Sequence, residues 1–248
     1  GGLDSGLLVA LAAQHSEQAL KTFTVSFEGA AVDEAPLARL VAERYATEHE
    51  EIQLSTSDVA DHLPFLAWHA EEPLNDAALL PNYLVEQALG RKVKVALNGT
   101  GGDELFAGYG RYFQLPVEQA FLKIPAWVRR KVVVPAIRTL SPERAWKLLR
   151  AEKYMTDSGG YIHDHCSHFP PPMRKMIGCS LPMSKPAQQG FADEFEGDQQ
   201  ACALYADINT YLPDDLLTLL DRTSMAVGVE GRVPFLDHRL VNAALSVP

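Results

Sequence analysis

The first hundred residues alternate between two hydrophobic periods, and that alternation limits the fold more than any other feature. "KTFTVSF" (21–27), "EEIQL" (50–54) and "KVKVALN" (92–98) read as short strands, rich in β-branched and aromatic residues, the first bounded by Gly29. Between and before them lie segments with apolar residues at helical spacing: "GLLVALAAQ" (6–14), "DEAPLARLVAERYATEH" (33–49), "SDVADHLPFLAWHAE" (57–71) and "PNYLVEQALGR" (81–91). Pro36 sits where the first turn of a helix tolerates it, Gly90 closes another helix, and Pro64 weakens the helix that contains it. Strands separated by helices of this length imply βαβ units and a parallel sheet covered on both faces, an α/β fold.

After Tyr112 the strand signals fade. "PAWVRRKVVVPAIRTL" (125–140), "PERAWKLLRAEKY" (142–154) and "DINTYLPDDLLTLLDRTSMAVG" (207–228) carry helical patterns. The expected division is therefore an α/β core over 1–112 and a mainly helical part over 113–248. "CSLPMSKPAQQGFADEFEGDQQ" (179–200), polar with Pro and Gly, is the candidate mobile connection. An apolar content of 47% supports a sizeable core, and a formal net charge of −10 disfavours non-specific nucleic-acid binding. Three cysteines without a CxxC pair, Cys166, Cys179 and Cys202, argue for a reducing compartment; with no membrane-length apolar stretch and no signal peptide, the expected setting is the cytoplasm.

Two glycine-rich loops carry the chemistry. "GGLDSG" (1–6) opens a helix, and such a turn directs backbone N–H groups and the positive end of the helix dipole at an anion. Gly1 and Gly2 permit close approach of a phosphate, and Ser5 offers a hydroxyl. Asp4 would repel phosphate unless a cation lay between them, which points to Mg2+ held by one or two carboxylates and the substrate's phosphates. "NGTGGDE" (98–104) also follows a strand, and Asp103 would supply a second carboxylate. Ligands of open α/β sheets gather beyond the carboxyl ends of the strands, so both loops can meet there. Each loop alone is equally readable as a tight turn with an N-cap aspartate; the pair is the more specific signal.

Three segments together resemble the synthetase domain of glutamine-hydrolysing asparagine synthetases, within the ATP pyrophosphatases that carry an SGGxDS loop. "GGLDS" (1–5) matches that loop without its leading serine, "NGTGGDELFAGYGRY" (98–112) resembles SGxGxDELFxGYxRY, and "DRTSMAVGVEGRVPFLDHRLV" (221–241) resembles DRxSMxxGxExRxPFLD. The resemblance implies a Rossmann-like, adenine nucleotide α-hydrolase-like sheet flanked by helices and followed by a mainly helical lobe. It implies ATP and Mg2+ as cofactors and adenylation of a substrate carboxylate, aspartate or an analogue, by attack on the α-phosphorus with loss of pyrophosphate. Ammonia from a glutaminase domain then displaces AMP to form an amide. Gly1, Gly2 and Ser5 would hold phosphate, Asp4 and Asp103 magnesium, and Val25, Ser26, Asn98 and Gly99 the adenine. Arg222 is the candidate ligand for the substrate carboxylate or a phosphate, its planar fork suiting both. Glu230 and Arg232 are expected to brace each other, and "VPFLD" to pack and end in an acidic cap. A homodimer is compatible with this family; nucleic acid and membrane are not expected partners.

Departures from the pattern qualify the product. The acid often found at the third position of the second loop is Thr100 here, and the last serine of the first loop is Gly6. The chain starts within a turn, without the strand expected before Gly1, and stops at Pro248, before a stretch that carries a lysine in relatives. A phosphate loop at a bare end would fray, so the chain reads as a fragment of a longer polypeptide. Nothing in it corresponds to a glutaminase domain, which leaves free ammonia as the donor for the fragment alone. Two alternatives stay open: a β-lactam synthetase or lasso-peptide cyclase type of enzyme, which closes a ring with an internal amine, and a non-catalytic ATP-binding module. "HDHCSH" (163–168) matches no common zinc spacing. Glu71, Glu72 and Asp76 form a run similar to one near the cleft of relatives, and Trp68, Trp127 and Trp146 are expected in the core.

Overall fold

A computed structural model describes residues 2–27, 34–54, 56–72, 74, 76–112, 120–141, 178 and 199–247. The expected alternation is present. Helix α1 (Leu3–His15) leads into strand β1 (Lys21–Phe27), followed by α2 (Ala35–Tyr45), β2 (Glu48–Leu54), α3 (Thr56–Ala70), α4 (Leu79–Gly90), β3 (Val95–Leu97) and α5 (Gly102–Phe106). β1 and β2 run parallel, in register from Lys21 opposite Glu48 to Phe27 opposite Leu54. The α2 crossover between them is what a parallel pair requires, because the chain must return to the same edge before it can start the second strand. Pro36 lies in the first turn of α2, as expected, and α3 runs through Pro64.

β3 pairs parallel with a strand that the sequence does not announce, β4 (Glu230–Arg232), with Val95 opposite Glu230 and Leu97 opposite Arg232. β4 has three residues, one of them Gly231, and its partner is more than 130 residues away in the chain, so no local period reveals it. Gly231 fits closely there: a Cβ would lie 3.2 Å from Leu220 Cγ, so Leu220 would have to shift slightly to admit one. The strands thus form two parallel two-stranded sheets, β1–β2 and β3–β4.

The chain divides into two compact units, Gly1–Phe106 with Leu212–Pro248, and Ala107–Tyr211. The C-terminal segment belongs with the α/β unit, whereas the sequence alone places one boundary at 112/113. The physical reason is the β3–β4 ladder, together with the packing of a further helix, Thr218–Met225, on α4. The core of the first unit is built on Leu66, Tyr83 and Leu84, with Val25, Ile52, Leu79, Leu80, Ala226 and Val227 packed around them.

In the second unit the helical run Ala126–Val128, Arg129–Val133 and Val134–Leu140 widens to a π-turn in its middle, ahead of Pro135. A proline cannot donate to the ladder and its ring crowds the carbonyl four residues back, which a wider turn relieves. Arg129 is buried there and donates from Nη1 to the carbonyls of Leu122 (2.6 Å) and Ile124 (2.9 Å). On helix Gln199–Asn209 the buried Asp207 accepts a 2.5 Å hydrogen bond from Tyr112 Oη. Cys202 is buried and in no disulfide among the described residues; Cys166, Cys179, "HDHCSH", "PERAWKLLRAEKY" and nearly all of the 179–200 connection lie outside the described residues. Among the described residues no helix is long and apolar enough to cross a membrane.

Two tryptophans expected in the core are on the surface: Trp68 is 75% exposed and Trp127 66%. On α3 the buried positions are Leu66 and Ala70, and a residue two places from each points to the opposite side of the helix. Trp68 packs edge-on against His69 instead. Trp146 lies outside the described residues.

Among the described residues two buried carboxyls, Glu86 and Glu104, break the apolar pattern of the first unit. Glu86, on α4, is 3% exposed, and its Oε2 has no hydrogen-bond partner among the described residues. Burial pushes its pKa up to about 7, because the charged form loses its hydration and gains nothing in exchange. Between the ordinary value of 4.5 and about 7, unfolding releases a proton, so stability falls as pH rises through that window, the reverse of the usual carboxylate case. Urea melts should therefore show wild type losing on the order of 1–3 kcal/mol between pH 5 and pH 8 relative to Glu86→Gln. Parallel pH dependences in the two proteins would refute the assignment.

Candidate active site

β3 ends at Leu97, and the chain turns at once. Asn98 N donates to Arg232 O at 2.8 Å, extending the pairing with β4 by one bond. The Asn98 side chain then folds onto its own loop: Oδ1 accepts from Thr100 N (3.0 Å) and Thr100 Oγ1 (2.8 Å). This Asx-type turn ties both residues down. Gly101 follows with φ +96°, a left-handed conformation that a side chain would strain. Space forbids one as well: a Cβ would lie 2.4 Å from Leu236 Cδ2, on the turn Pro234–Leu236 of the "VPFLD" segment. Gly102 then opens α5, placing Asp103 and Glu104 in its first turn. The two neighbouring acids part ways there: Glu104 is buried, 1% exposed, and Asp103 is half-buried.

The first loop meets this one. α1 starts after Gly2, which has extended backbone (φ −70°, ψ 171°), and no side chain caps it among the described residues. The first-turn N–H groups of a helix lack intrahelical partners and suit an anion. Asp4 and Ser5 lie in that turn. A Cβ on Gly102 would sit 2.6 Å from Asp4 Cγ and 2.8 and 2.9 Å from its two oxygens. A Cβ on Gly99 would sit 3.1 Å from Asp4 Cβ, Ser5 N and Ser5 Oγ. The glycines of one loop are thus the floor on which the acid and hydroxyl of the other rest. Burial raises the pKa of Asp4, and the nearby charge of Asp103 raises it further. Beyond Gly2 lies Glu34, at the start of α2: a Cβ on Gly2 would be 3.6 and 3.9 Å from its carboxylate oxygens.

The structure thus brings together Gly2, Asp4, Ser5, Asn98, Gly99 and Asp103; Gly1 lies outside the described residues. Val25 and Ser26 stand on β1 opposite Ile52 and Gln53, and the Val25 side chain packs into the core, so a ligand could meet only its backbone. Arg222, in the helix Thr218–Met225, pairs through Nη1 with Glu71 Oε2 at 3.0 Å. Glu230 and Arg232 brace each other at 2.8 Å, as expected. Asp237 caps the helix His238–Leu245 by accepting from Arg239 N, and the Arg239 guanidinium holds its carboxyl well below the usual range. Sequence reasoning missed Gly102, Leu236 and Glu34 as parts of this region. The Gly101–Gly102 doublet was the available signal for the first; Leu236 and Glu34 have none, since their places depend on contacts between distant segments.

Two hard carboxylates, one near enough to raise the other's proton affinity, suit a divalent cation such as Mg2+, which relieves their repulsion. Among the described residues no three acids, histidines or cysteines gather as a group that could hold a metal ion.

The sequence matches the protein family described as asparagine synthase over residues 1–248. It is 29% identical over 252 residues to asparagine synthetase [glutamine-hydrolyzing] 1 of Bacillus subtilis, an alignment that covers all of this chain and 39% of that protein. A putative asparagine synthetase [glutamine-hydrolyzing] of Mycobacterium tuberculosis is 31% identical over 258 residues, covering all of this chain and 38% of that protein. An amidase of Penicillium rubens is 24% identical over 295 residues, covering 100% of this chain and 42% of its own length. The chain spans about two fifths of the length of these relatives.

The contact with Asp4 is open to a direct test. Gly102→Ala places a methyl group where the Asp4 carboxylate lies, while alanine suits a helical position better than glycine by up to about 1 kcal/mol. The variant should melt at or near the wild-type temperature and bind Mg2+-loaded ATP at least about tenfold more weakly, a loss of ~1.4 kcal/mol. Unchanged nucleotide affinity measured by calorimetry would show that the position of Asp4 does not matter to the site.

Proposed function

The chain belongs to the asparagine synthase family, and from that premise we propose that it is the ATP-dependent, amide-forming part of a carbon–nitrogen ligase. The observation that carries the reading is the seating of Asp4 against Gly102 beside the charge of Asp103, at the carboxyl end of β3 and the start of α1. In this reading the fold is a Rossmann-like nucleotide-binding core, completed by a mainly helical part. Gly1, Gly2 and Ser5 receive the phosphates, and Val25, Ser26, Asn98 and Gly99 border the adenine. Asp4 and Asp103 would hold Mg2+, which when bound offsets the charge of the triphosphate.

The residues act mainly by position and electrostatics. First-turn N–H groups of α1 and the Ser5 hydroxyl orient the triphosphate so that a substrate carboxylate oxygen can reach the α-phosphorus in line with the departing pyrophosphate. Phosphoryl and nucleotidyl transfers depend chiefly on such alignment and on preorganised charge. An acyl-adenylate results, and an amine displaces AMP from it to give the amide. By likeness to the relatives' printed names the acceptor is aspartate and the ammonia comes from glutamine, hydrolysed by a glutaminase domain of the whole protein. Arg222 is the candidate clamp for the substrate's anionic end, once released from Glu71.

One observation favours a second reading of the amine. Position 100 carries Thr100 in place of an acid, and its hydroxyl proton is already given to Asn98 Oδ1, so no carboxylate there can take a proton from an incoming ammonia. That suits an enzyme of the β-lactam synthetase or cyclase type, whose amine lies within the substrate.

Exchange of labelled pyrophosphate into ATP decides among these. Aspartate-dependent exchange supports the first reading, exchange only with a larger amino-bearing carboxylate supports the second, and ATP–Mg2+ binding without exchange indicates a binding module. Asp103→Asn should lower the exchange rate at least about 100-fold, ~2.7 kcal/mol, with its far-ultraviolet dichroism unchanged. Wild-type exchange in that variant would remove Asp103 from the mechanism.

A further inference from the structure

Arg222 stands on the helix Thr218–Met225, which is fastened to the candidate site. Leu220 of that helix packs on Gly231 of β4, and Arg232 of the same strand accepts from Asn98 N. Among the described residues the Arg222 guanidinium ion-pairs with Glu71 alone, Nη1 to Oε2 at 3.0 Å. Glu71 comes just after α3, and its N–H donates to Trp68 O. Its backbone there is left-handed, with φ 60°. Glycine ordinarily ends a helix in that conformation, because a Cβ is strained in it. Two other non-glycine residues among the described ones take a positive φ, Ala46 and Ala107, and neither carries a charge. An acid kept where glycine would fit better implies a use for its side chain. The use on display is its hold on Arg222.

Resting on the reading of Arg222 as the clamp for the substrate's anionic end, we infer that Glu71 is the resident competitor of that clamp: its carboxylate occupies the guanidinium until a substrate carboxylate displaces it. The guanidinium presents a planar fork of N–H donors, so one carboxylate can replace another on it with no change in charge balance. The Glu71 side chain is 68% exposed, and on release it returns to water at small cost. An uncharged group cannot take over the ion pair. Glu71 thereby holds Arg222 extended before the substrate arrives and sets the affinity that a carboxylate must exceed to seat.

The test is calorimetric titration with L-aspartate, in Mg2+ and a non-hydrolysable ATP analogue. It compares wild type, Glu71→Gln, Glu71→Gly, Arg222→Ala, the double variant Glu71→Gln with Arg222→Ala, and a control, Glu17→Gln, which removes a charge at an exposed position after α1. Both Glu71 variants should bind aspartate about 3- to 5-fold more tightly than wild type, with affinity for the ATP analogue changed by less than about 2-fold. Glu71→Gly should also melt at or above the wild-type temperature, since glycine suits the left-handed backbone; a merely structural role for the acid would instead lower stability without tightening aspartate. Arg222→Ala should weaken aspartate, and in that background the Glu71 change should gain nothing. No gain in the Glu71 variants, an equal gain for the ATP analogue, a gain that survives Arg222→Ala, or the same gain in the control would overturn the role given to Glu71 while leaving Arg222 as the clamp. Aspartate affinity unchanged by Arg222→Ala, or no aspartate binding in any variant, would remove the clamp reading and this inference with it.

Discussion

The Asp4 carboxylate rests on Gly102 Cα, with Asp103 as the next residue, and the remaining geometry of the site serves that contact. Gly102 must lack a side chain because Asp4 occupies its place. Gly101 must take a left-handed turn so that Gly102 can present its bare face, and Leu236 fills the space on Gly101's other side. Asn98 holds the turn by capturing Thr100, and its own N–H is anchored to β4. Two acids brought near one another are unfavourable in isolation. Burial raises the proton affinity of Asp4 and the nearby Asp103 charge raises it further, which marks a place suited to positive charge.

The third motif reaches the site through backbone and packing more than through its charges. β4 supplies the carbonyl that receives Asn98 N, and the turn after it supplies Leu236. Its internal ion pairs, Glu230 with Arg232 and Asp237 with Arg239, are exposed on both sides and contribute little to stability, since water screens such pairs. Arg222 is likewise occupied by an exposed partner, Glu71, which sits at positive φ after α3. An exposed pair of this kind exchanges partners at small cost, so engagement with Glu71 is compatible with later capture of a substrate anion.

The elements with strong local periods were legible: α1, α2 with its N-terminal proline, the β1–β2 parallel pair and α4 closed by Gly90 all follow from residue spacing. The tryptophans were misjudged because bulk and apolarity do not say which side of a helix faces inward; Trp68 lies two residues from each buried position of α3. β4 was illegible because three residues with a central glycine carry no period of their own. The return of the C-terminal segment to the α/β unit escaped for the same reason, since it depends on that pairing.

Residue type and spacing by themselves determined the alternation of parallel strands and helices, the two glycine-rich turns at strand and helix ends, and the presence of an acid in each. These are properties of neighbouring residues, governed by local sterics and hydrogen bonding. Only the tertiary structure decided that Asp4 and Asp103 share one corner, that Leu236 packs against Gly101 and that the Glu34 carboxylate lies beside Gly2. Those placements join segments separated by tens to hundreds of residues, and packing alone can bring them within reach of one another.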